Sequence, residues 1–142
     1  MKLLVVGGGG REHAIVDALS RSAQVSEILC APGNAGIAQQ ARTFAVKDTD
    51  VEGLLKIALD EKVDLTVVGP ESALAAGVVD TFKANGLRIF GPTKAAAQIE
   101  SSKEFAKNLM AKYGIPTAGY QTFTHYDSAK AWRNAGAEVR MS

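Results

Sequence analysis

The sequence predicts an α/β fold built on a doubly wound parallel sheet, and three observations carry this prediction. Short apolar runs alternate with segments of helical period along the 142 residues, which is typical of strand–helix–strand units. Several of these runs are almost continuously apolar, as expected for strands that are covered on both faces. Four of the runs end in a turn that contains glycine, which is where such sheets connect a strand to the next helix.

The elements of the first part of the chain follow from these patterns. Each predicted strand contains a short run of mainly apolar residues. The predicted strands are residues 3–6, 27–30, a short strand near 43–46, 65–68 and 87–90. The predicted helices share apolar residues at helical spacing or a capping residue at their start: residues 12–20, a helix after Asp48-Thr49-Asp50 that carries Leu54, Leu55, Ala58 and Leu59, and residues 71–83.

The pattern changes after the turn Gly91-Pro92-Thr93. We predict a short helix over residues 94–99, a helix over 103–113 capped by Ser101-Ser102, a strand over 120–123 and a helix over 127–134. We place a domain boundary near Glu100, which gives a first domain over residues 1–100. Residues 101–142 are too few to bury a core of their own, so we expect a linker helix and the incomplete start of a second domain.

Composition narrows the classes of partner. The formal net charge is +1 with both signs intermixed, so no electrostatic footprint for a nucleic acid is expected. The sequence has no uninterrupted apolar run long enough to cross a membrane. Met1-Lys2 leads directly into a predicted strand, so we expect no signal peptide. The single Cys30 fits a reducing compartment and is predicted to be a small core residue. We therefore expect a cytoplasmic protein with no membrane partner.

The most informative motif is the run Gly7-Gly8-Gly9-Gly10, which joins the first strand to the first helix. Such a turn presents backbone N–H groups at the positive end of a helix, where phosphate groups bind readily. We therefore expect a phosphorylated small molecule at this edge of the sheet. A glycine-rich turn that only permits tight packing is the structural alternative.

A dinucleotide-binding fingerprint is a second alternative, and the spacing argues against it. The motif G-x-G-x-x-G requires glycine at a position that Glu12 or His13 occupies. An NAD-binding fold also requires an acidic residue after the second strand to hold the ribose hydroxyls. The segment Ala31-Pro32-Gly33-Asn34 follows that strand instead, so an NAD-binding domain is the less favoured interpretation.

Polar side chains in the other three turns add to the predicted site. Because the carboxyl ends of parallel strands share one edge, these turns are expected to lie near the glycine run. Their candidate ligand-binding side chains are Asn34, Glu71, Ser72, Thr93 and Lys94. Oxygens of Asn34 and Glu71 can accept from sugar hydroxyls or an amine, and Lys94 suits a phosphate. Together they predict a sugar phosphate as the ligand.

Each candidate also has a structural interpretation. Glu71 could only stabilise a helix dipole, Asn34 could be a turn residue in the left-handed region, and Lys94 could be a solvated residue at a helix start. His13 follows Arg11 after the glycine run but has no visible base or metal partner, so we predict that it is packed or hydrogen-bonded.

Five segments, in this order, resemble the phosphoribosylamine–glycine ligase family, the glycinamide ribonucleotide synthetases of purine biosynthesis. The first four segments are Val-Val-Gly-Gly-Gly-Gly-Arg-Glu-His-Ala at residues 5–14, Ala-Pro-Gly-Asn-Ala-Gly at 31–36, Val-Gly-Pro-Glu at 68–71 and Phe-Gly-Pro-Thr-Lys-Ala-Ala at 90–96. Residues 99–117 resemble the same family's entry into an ATP-grasp domain. A related ATP-grasp carboxylase is disfavoured by the glycine run followed by Arg11-Glu12-His13.

The resemblance implies an ATP-dependent ligation of glycine to 5-phosphoribosylamine through a glycyl phosphate, with Mg²⁺ or Mn²⁺ at the nucleotide. It assigns the phosphoribosylamine side of the cleft to Gly8, Gly9, Gly10, Arg11, Asn34, Glu71 and Lys94. It assigns Lys103 to the nucleotide phosphates and places no catalytic residue or metal ligand in this chain. Small-molecule substrates are the only partners that it implies.

The chain also departs from the family pattern. Family members are considerably longer, and residues 132–142 do not follow the family's continuation into a strand that bears a second nucleotide-binding lysine. We therefore expect a fragment that lacks most of the ATP site and is inactive alone. A non-catalytic module that binds a sugar phosphate is the competing hypothesis.

Overall fold

The computed structural model describes residues 1–134 of the chain. Contacts divide the chain into two compact units, Met1–Ser101 and a second unit that begins at Ser102. The first unit holds one parallel sheet with the strand order β3-β2-β1-β4-β5. Its strands are β1 (Lys2–Gly7), β2 (Glu27–Pro32), β3 (Arg42–Thr43), β4 (Leu65–Val68) and β5 (Ile89–Phe90).

Helices connect these strands. They are α1 (Gly10–Ser20), a short 3₁₀ helix (Ile37–Gln39), α2 (Val51–Asp60), α3 (Glu71–Ala76), α4 (Val78–Ala84) and α5 (Lys94–Ser101). The predicted cap of α2 is confirmed, because the Asp50 carboxylate accepts a 3.0 Å hydrogen bond from the Gly53 amide. Among the described residues, no helix has the length and apolar character that a membrane crossing requires.

Successive residues of the central strands point to opposite faces of the sheet, and both faces are covered. One core cluster contains Leu4, Val6, Leu29 and Ala31 of the sheet with Leu54, Leu74 and Phe82 of the helices α2, α3 and α4. The other contains Val5, Ile28 and Cys30 of the sheet with Val16 of α1 and Ile37 of the 3₁₀ helix. The predicted doubly wound α/β fold is therefore confirmed.

The predicted single helix over residues 71–83 is wrong, because Gly77 divides it into α3 and α4. Gly77 has φ of 91°, in the left-handed region, and its amide donates to the carbonyls of Ala73 and Leu74. This is a C-cap arrangement that glycine adopts at little cost. The apolar residues on both sides keep nearly the same spacing, so the sequence pattern alone did not reveal the break.

The second unit contains α6 (Lys103–Lys112) and α7 (Tyr126–Asn134). The predicted strand over residues 120–123 is wrong, because this segment is irregular in the structure. Side chains attach the irregular segment to α6: Lys107 Nζ donates to Thr117 Oγ1 at 2.6 Å and to the Ala118 carbonyl at 2.9 Å, and the Tyr120 hydroxyl donates to Asn108. The segment therefore uses side-chain bonds instead of a strand ladder.

Charged residues at the amino ends of the strands pair with one another. Lys2 Nζ lies 3.0 Å from Glu27 and 3.4 Å from Glu61, and Arg42 also pairs with both glutamates. Hydrogen bonds from Arg42 and then Lys2 lower the pKa of Glu61. The charges at this edge are therefore neutralised within the fold.

Candidate functional site

The connections of β1 define a crevice at the carboxyl edge of the sheet. The chain runs from β1 to β2 and β3 on one side and then crosses to β4 and β5 on the other side. The strand order thus reverses between β1 and β4, and such a switch point is where open α/β sheets bind ligands. The turns after β1 and β4 form the two walls of this crevice.

The turn after β1 is shorter than the glycine run. Gly7 ends β1, Gly9 is the N-cap of α1, and Gly10 is the first helical residue. The first helical hydrogen bond runs from the His13 amide to the Gly9 carbonyl at 3.0 Å. The amides of Gly10 and Arg11 therefore lie in the first turn, where helix geometry provides no acceptor and the dipole is positive. An anion is the natural acceptor for them.

Glu12 is the residue in this crevice that the sequence pattern did not reveal to us. Its side chain is buried, with 4% of the residue exposed. Oε2 accepts the Gly9 amide at 2.7 Å and Oε1 accepts Arg11 Nε at 3.3 Å. A glutamate at the third helical position that reaches back to the N-cap amide is half of a capping box. We missed this signal because we predicted that the helix starts at Glu12 instead of Gly10.

The protein's own atoms account for most of the glycines at this edge. A Cβ atom at Gly8 would lie 2.5 Å from the Gly33 carbonyl oxygen, and one at Gly7 would lie 2.6 Å from Glu12 Cγ. A Cβ atom at Gly69 would overlap the Glu12 carboxylate. At Gly10, by contrast, no atom among the described residues would lie within 4 Å of the added Cβ. Close packing thus explains Gly7, Gly8 and Gly69, whereas Gly10 borders open space.

Arg11 joins the two walls of the crevice. Its Nη2 donates to the Gly69 carbonyl at 2.7 Å and lies 3.4 Å from Glu71 Oε2. Glu71 is the first residue of α3. Its own backbone amide, followed by the Arg11 guanidinium, lowers the pKa of its carboxyl group. Glu71 is therefore a carboxylate at neutral pH, beside the first turn of α1.

Asn34 connects the turn after β2 to the glycine turn. Its Nδ2 donates to the Gly8 carbonyl at 2.9 Å, and its Oδ1 accepts the Ile37 amide at 2.9 Å. The left-handed residue of this turn is Gly33, with φ of 71°, so the structural alternative in which Asn34 adopts that region is wrong. One amide hydrogen and one lone pair of Asn34 remain for a ligand by valence.

The other predicted residues lie in different surroundings. The Lys94 side chain lines a shallow cleft with Gly77, Asp80 and Gln98, and its amide donates to Asp80 Oδ2 at 2.8 Å. Ser72 Oγ donates to Asp48 at 2.7 Å, and Thr93 Oγ1, just before α5, accepts the Ala96 amide at 3.3 Å. Within the described residues, Lys94 therefore lies beside Asp80 and not in the crevice between β1 and β4.

Lys103 is the first residue of α6 in the second unit and is exposed. The preceding Ser102 caps the helix by accepting the Phe105 amide at 3.2 Å. A positive charge beside the amino end of a helix is slightly unfavourable unless an anion lies nearby, and Glu104 supplies one in the same turn. The predicted role of Lys103 at nucleotide phosphates stays a prediction.

Cys30 lies beneath the crevice. Its thiol is buried, and Sγ lies 3.3 Å from the Gly7 carbonyl oxygen. Burial, followed by the nearby charge of Glu12, raises the pKa of Cys30 to about 11. A protonated thiol is a poor nucleophile, so the prediction that Cys30 is a core residue is confirmed.

Residues 1–100 match a family model described as phosphoribosylglycinamide synthetase, N domain. The chain belongs to this family. A curated relative, the phosphoribosylamine–glycine ligase of Xanthomonas campestris, is 56% identical over 98% of this chain and 33% of its own length. The chain therefore spans about a third of the length of this relative. The alignment continues past Trp132, so the similarity to this relative does not end there.

Solved structures agree with this assignment. The phosphoribosylamine–glycine ligase of Thermotoga maritima superposes with a TM-score of 0.65 and 26% identity, over 95% of this chain and 30% of that chain. The biotin carboxylase domain of a single-chain bacterial carboxylase gives a TM-score of 0.67 at 17% identity, over 95% of this chain and 34% of that chain, which shows a shared fold alone. The family match counts against the carboxylase alternative.

Proposed function

We propose that this chain forms the phosphoribosylamine-binding part of a phosphoribosylamine–glycine ligase. In the proposed reaction the glycine carboxylate attacks the γ-phosphorus of ATP, which gives glycyl phosphate and ADP. The amine of 5-phosphoribosylamine then attacks the glycyl carbonyl, the C–N bond forms, and inorganic phosphate leaves as the nitrogen loses a proton. Family membership of residues 1–100 supports this activity.

The observation that carries the substrate assignment is the juxtaposition of two groups in the crevice. The first-turn amides of α1, beside Gly10, offer donors to the 5-phosphate. The Glu71 carboxylate, held by Arg11 at 3.4 Å, offers acceptors to a ribose hydroxyl or to the substrate amine. A molecule that is anionic at one end and carries hydroxyls and an amine at the other matches this pair. Asn34 supports the turn, whereas Lys94 lines a different cleft with Asp80 and is not assigned to this pair of groups.

The nucleotide and metal belong mainly to other parts of the proposed enzyme. Among residues 1–134, no three His, Cys, Asp or Glu side chains are close enough to hold a metal ion. We propose that the Mg²⁺ or Mn²⁺ of the reaction is held by other parts of the enzyme, and no step is assigned to a metal on these residues. Lys103 is proposed to contact nucleotide phosphates. We propose a cytoplasmic location and small-molecule substrates, without nucleic-acid or membrane partners, in keeping with the net charge of +1.

Isothermal titration tests the substrate assignment. Ribose 5-phosphate carries a hydroxyl where phosphoribosylamine carries the amine. We expect it to bind at least about tenfold more tightly than ribose, which has no anion, and than NAD, whose pyrophosphate is esterified at both ends and offers no terminal phosphate. Binding of NAD alone would instead favour the dinucleotide alternative. If no phosphorylated compound binds, the glycine turn serves packing only and the proposal is wrong.

The isolated 142-residue polypeptide is expected to form no ADP that depends on both glycine and phosphoribosylamine. Rate enhancement in such a reaction comes largely from the positioning and electrostatic stabilisation of ATP, and the chain spans about a third of the length of the Xanthomonas campestris relative. A coupled ADP assay checks this, with the Xanthomonas campestris relative as the positive control. Substrate-dependent turnover by this chain would contradict the expectation, whereas phosphate binding without turnover agrees with it.

A further inference from the structure

We propose that Glu12 is a positioning residue for the phosphoribosyl site, an inference that rests on the proposed function. Glu12 connects the two groups that contact the substrate in that proposal. Each of its two carboxylate oxygens holds a different neighbour, because Oε2 fixes the glycine turn through Gly9 and Oε1 fixes the guanidinium of Arg11. Glu12 itself is buried and acts through these neighbours.

The contact with Gly9 determines where the helix amides point. The Gly9 amide would otherwise be one of the unsatisfied donors at the start of α1, and Glu12 accepts it at 2.7 Å. Because the Gly9 amide already donates to Glu12, it is not free to bind a ligand. The same bond holds the N-cap in an extended conformation, with φ of −85° and ψ of −178°. The next amides, those of Gly10 and Arg11, are then directed away from the sheet by the helical geometry.

The contact with Arg11 carries the effect to the other wall of the crevice. Arg11 Nε lies 3.3 Å from Glu12, while its Nη2 binds the Gly69 carbonyl at 2.7 Å and approaches Glu71. Two nitrogens of one guanidinium are thereby held by groups from α1 and from the turn after β4. A planar donor group that is held in this way loses little further conformational freedom when a ligand binds. Glu12 thus sets the position of Arg11 relative to Glu71.

Packing alone does not account for a glutamate at this place. Buried carboxylates are rare and are retained only with hydrogen-bonded or charged partners. Three glycines leave room for the Glu12 side chain. A side chain at Gly7 or Gly69 would collide with Glu12, and one at Gly9 would lie 2.9 Å from its Oε2. An apolar residue would fill the same space without needing a charged partner. The Glu12 carboxylate is therefore explained by its hydrogen bonds to the Gly9 amide and to Arg11 Nε.

A double-mutant cycle of ligand binding tests this inference. The variants are Glu12→Gln, Arg11→Gln and the double variant, with Asp17→Asn on the exposed side of the same helix as a control. Glu12→Gln keeps the shape and an acceptor for Gly9 but loses the ion pair with Arg11. We expect each single change to weaken ribose 5-phosphate binding by about tenfold, and the double variant to be no weaker than Arg11→Gln, because linked residues are not additive.

The outcomes separate this inference from the proposed function. If the native chain does not bind ribose 5-phosphate, the proposed function fails and this inference fails with it. If the native chain binds and the two changes are additive, or if Glu12→Gln binds as well as Asp17→Asn does, only the role of Glu12 is refuted. Thermal unfolding of each variant shows whether a loss of binding accompanies a loss of structure.

A measurement on the native chain keeps the inference testable if Glu12→Gln does not fold. In a ¹⁵N NMR spectrum, the Nε–H signal of Arg11 is expected to be protected from solvent exchange and to shift when ribose 5-phosphate is added. Arg21, which is exposed and pairs along the helix surface with Asp17, is the internal reference. An Arg11 signal that exchanges as fast as that of Arg21 and ignores the ligand would overturn the proposal.

Discussion

Replacing Gly8 with alanine is expected to lower the free energy of unfolding by about 2–3 kcal/mol, as overpacking at a rigid site does. The added Cβ would lie 2.5 Å from the Gly33 carbonyl oxygen, and backbone cannot move aside as a flexible side chain can. The shift would also strain two bonds that join β1 to the turn after β2, from the Gly33 amide to Gly7 and from Asn34 to Gly8. Urea unfolding followed by circular dichroism measures the change.

The matched control for this experiment is Gly10→Ala, two residues further along the same run. No described atom lies within 4 Å of a Cβ at this position, and alanine is a better helix former than glycine. We therefore expect Gly10→Ala to be at least as stable as the native chain. Equal stability of the Gly8→Ala and Gly10→Ala variants would contradict the close packing of Gly8 against the Gly33 carbonyl.

Replacing Gly10 with valine is expected to weaken ribose 5-phosphate binding by at least about tenfold while the fold is retained. The branched side chain would stand in the open space over the first turn of α1, where we place the phosphate. The cost to the fold is small, because the position borders no protein atom of the described residues. Isothermal titration measures the loss of affinity, and circular dichroism checks the fold.

Ala14→Val controls for the effect of a β-branched residue on the same helix. Ala14 is exposed in the next turn of α1, so its replacement introduces the same β-branched side chain on this helix without entering the crevice. We expect this variant to bind ribose 5-phosphate like the native chain. Undiminished binding by Gly10→Val would show that the phosphate does not lie on the first turn of α1.

The arrangement of strands was predictable because it depends on local apolar pattern and on the turns between runs. Residues 65–68, for example, form a strand with the predicted bounds. The errors have local causes as well. Gly77 breaks a helix whose apolar spacing continues across it. Residues 120–123 contain the two aromatic residues typical of a strand, but their Tyr120 hydroxyl bonds to Asn108 of α6 instead.

The site was only partly predictable, because its geometry depends on contacts between distant parts of the chain. Arg11 and Glu71 are 60 residues apart, and only the reversal of strand order between β1 and β4 brings them together. Glu12 became recognisable once the helix start at Gly10 was known. The sequence placed Lys94 in a turn at the same sheet edge, but its side chain lines a different cleft with Asp80.

The most direct test of the phosphate assignment follows each backbone amide of a ¹⁵N-labelled chain during titration with ribose 5-phosphate. We predict that the Gly10 and Arg11 amides show the largest chemical shift changes, because they become hydrogen-bonded to an anion. Their changes should saturate at the affinity that calorimetry gives. Unchanged signals at Gly10 and Arg11, while residues elsewhere such as those around Lys94 respond, would contradict the proposed site.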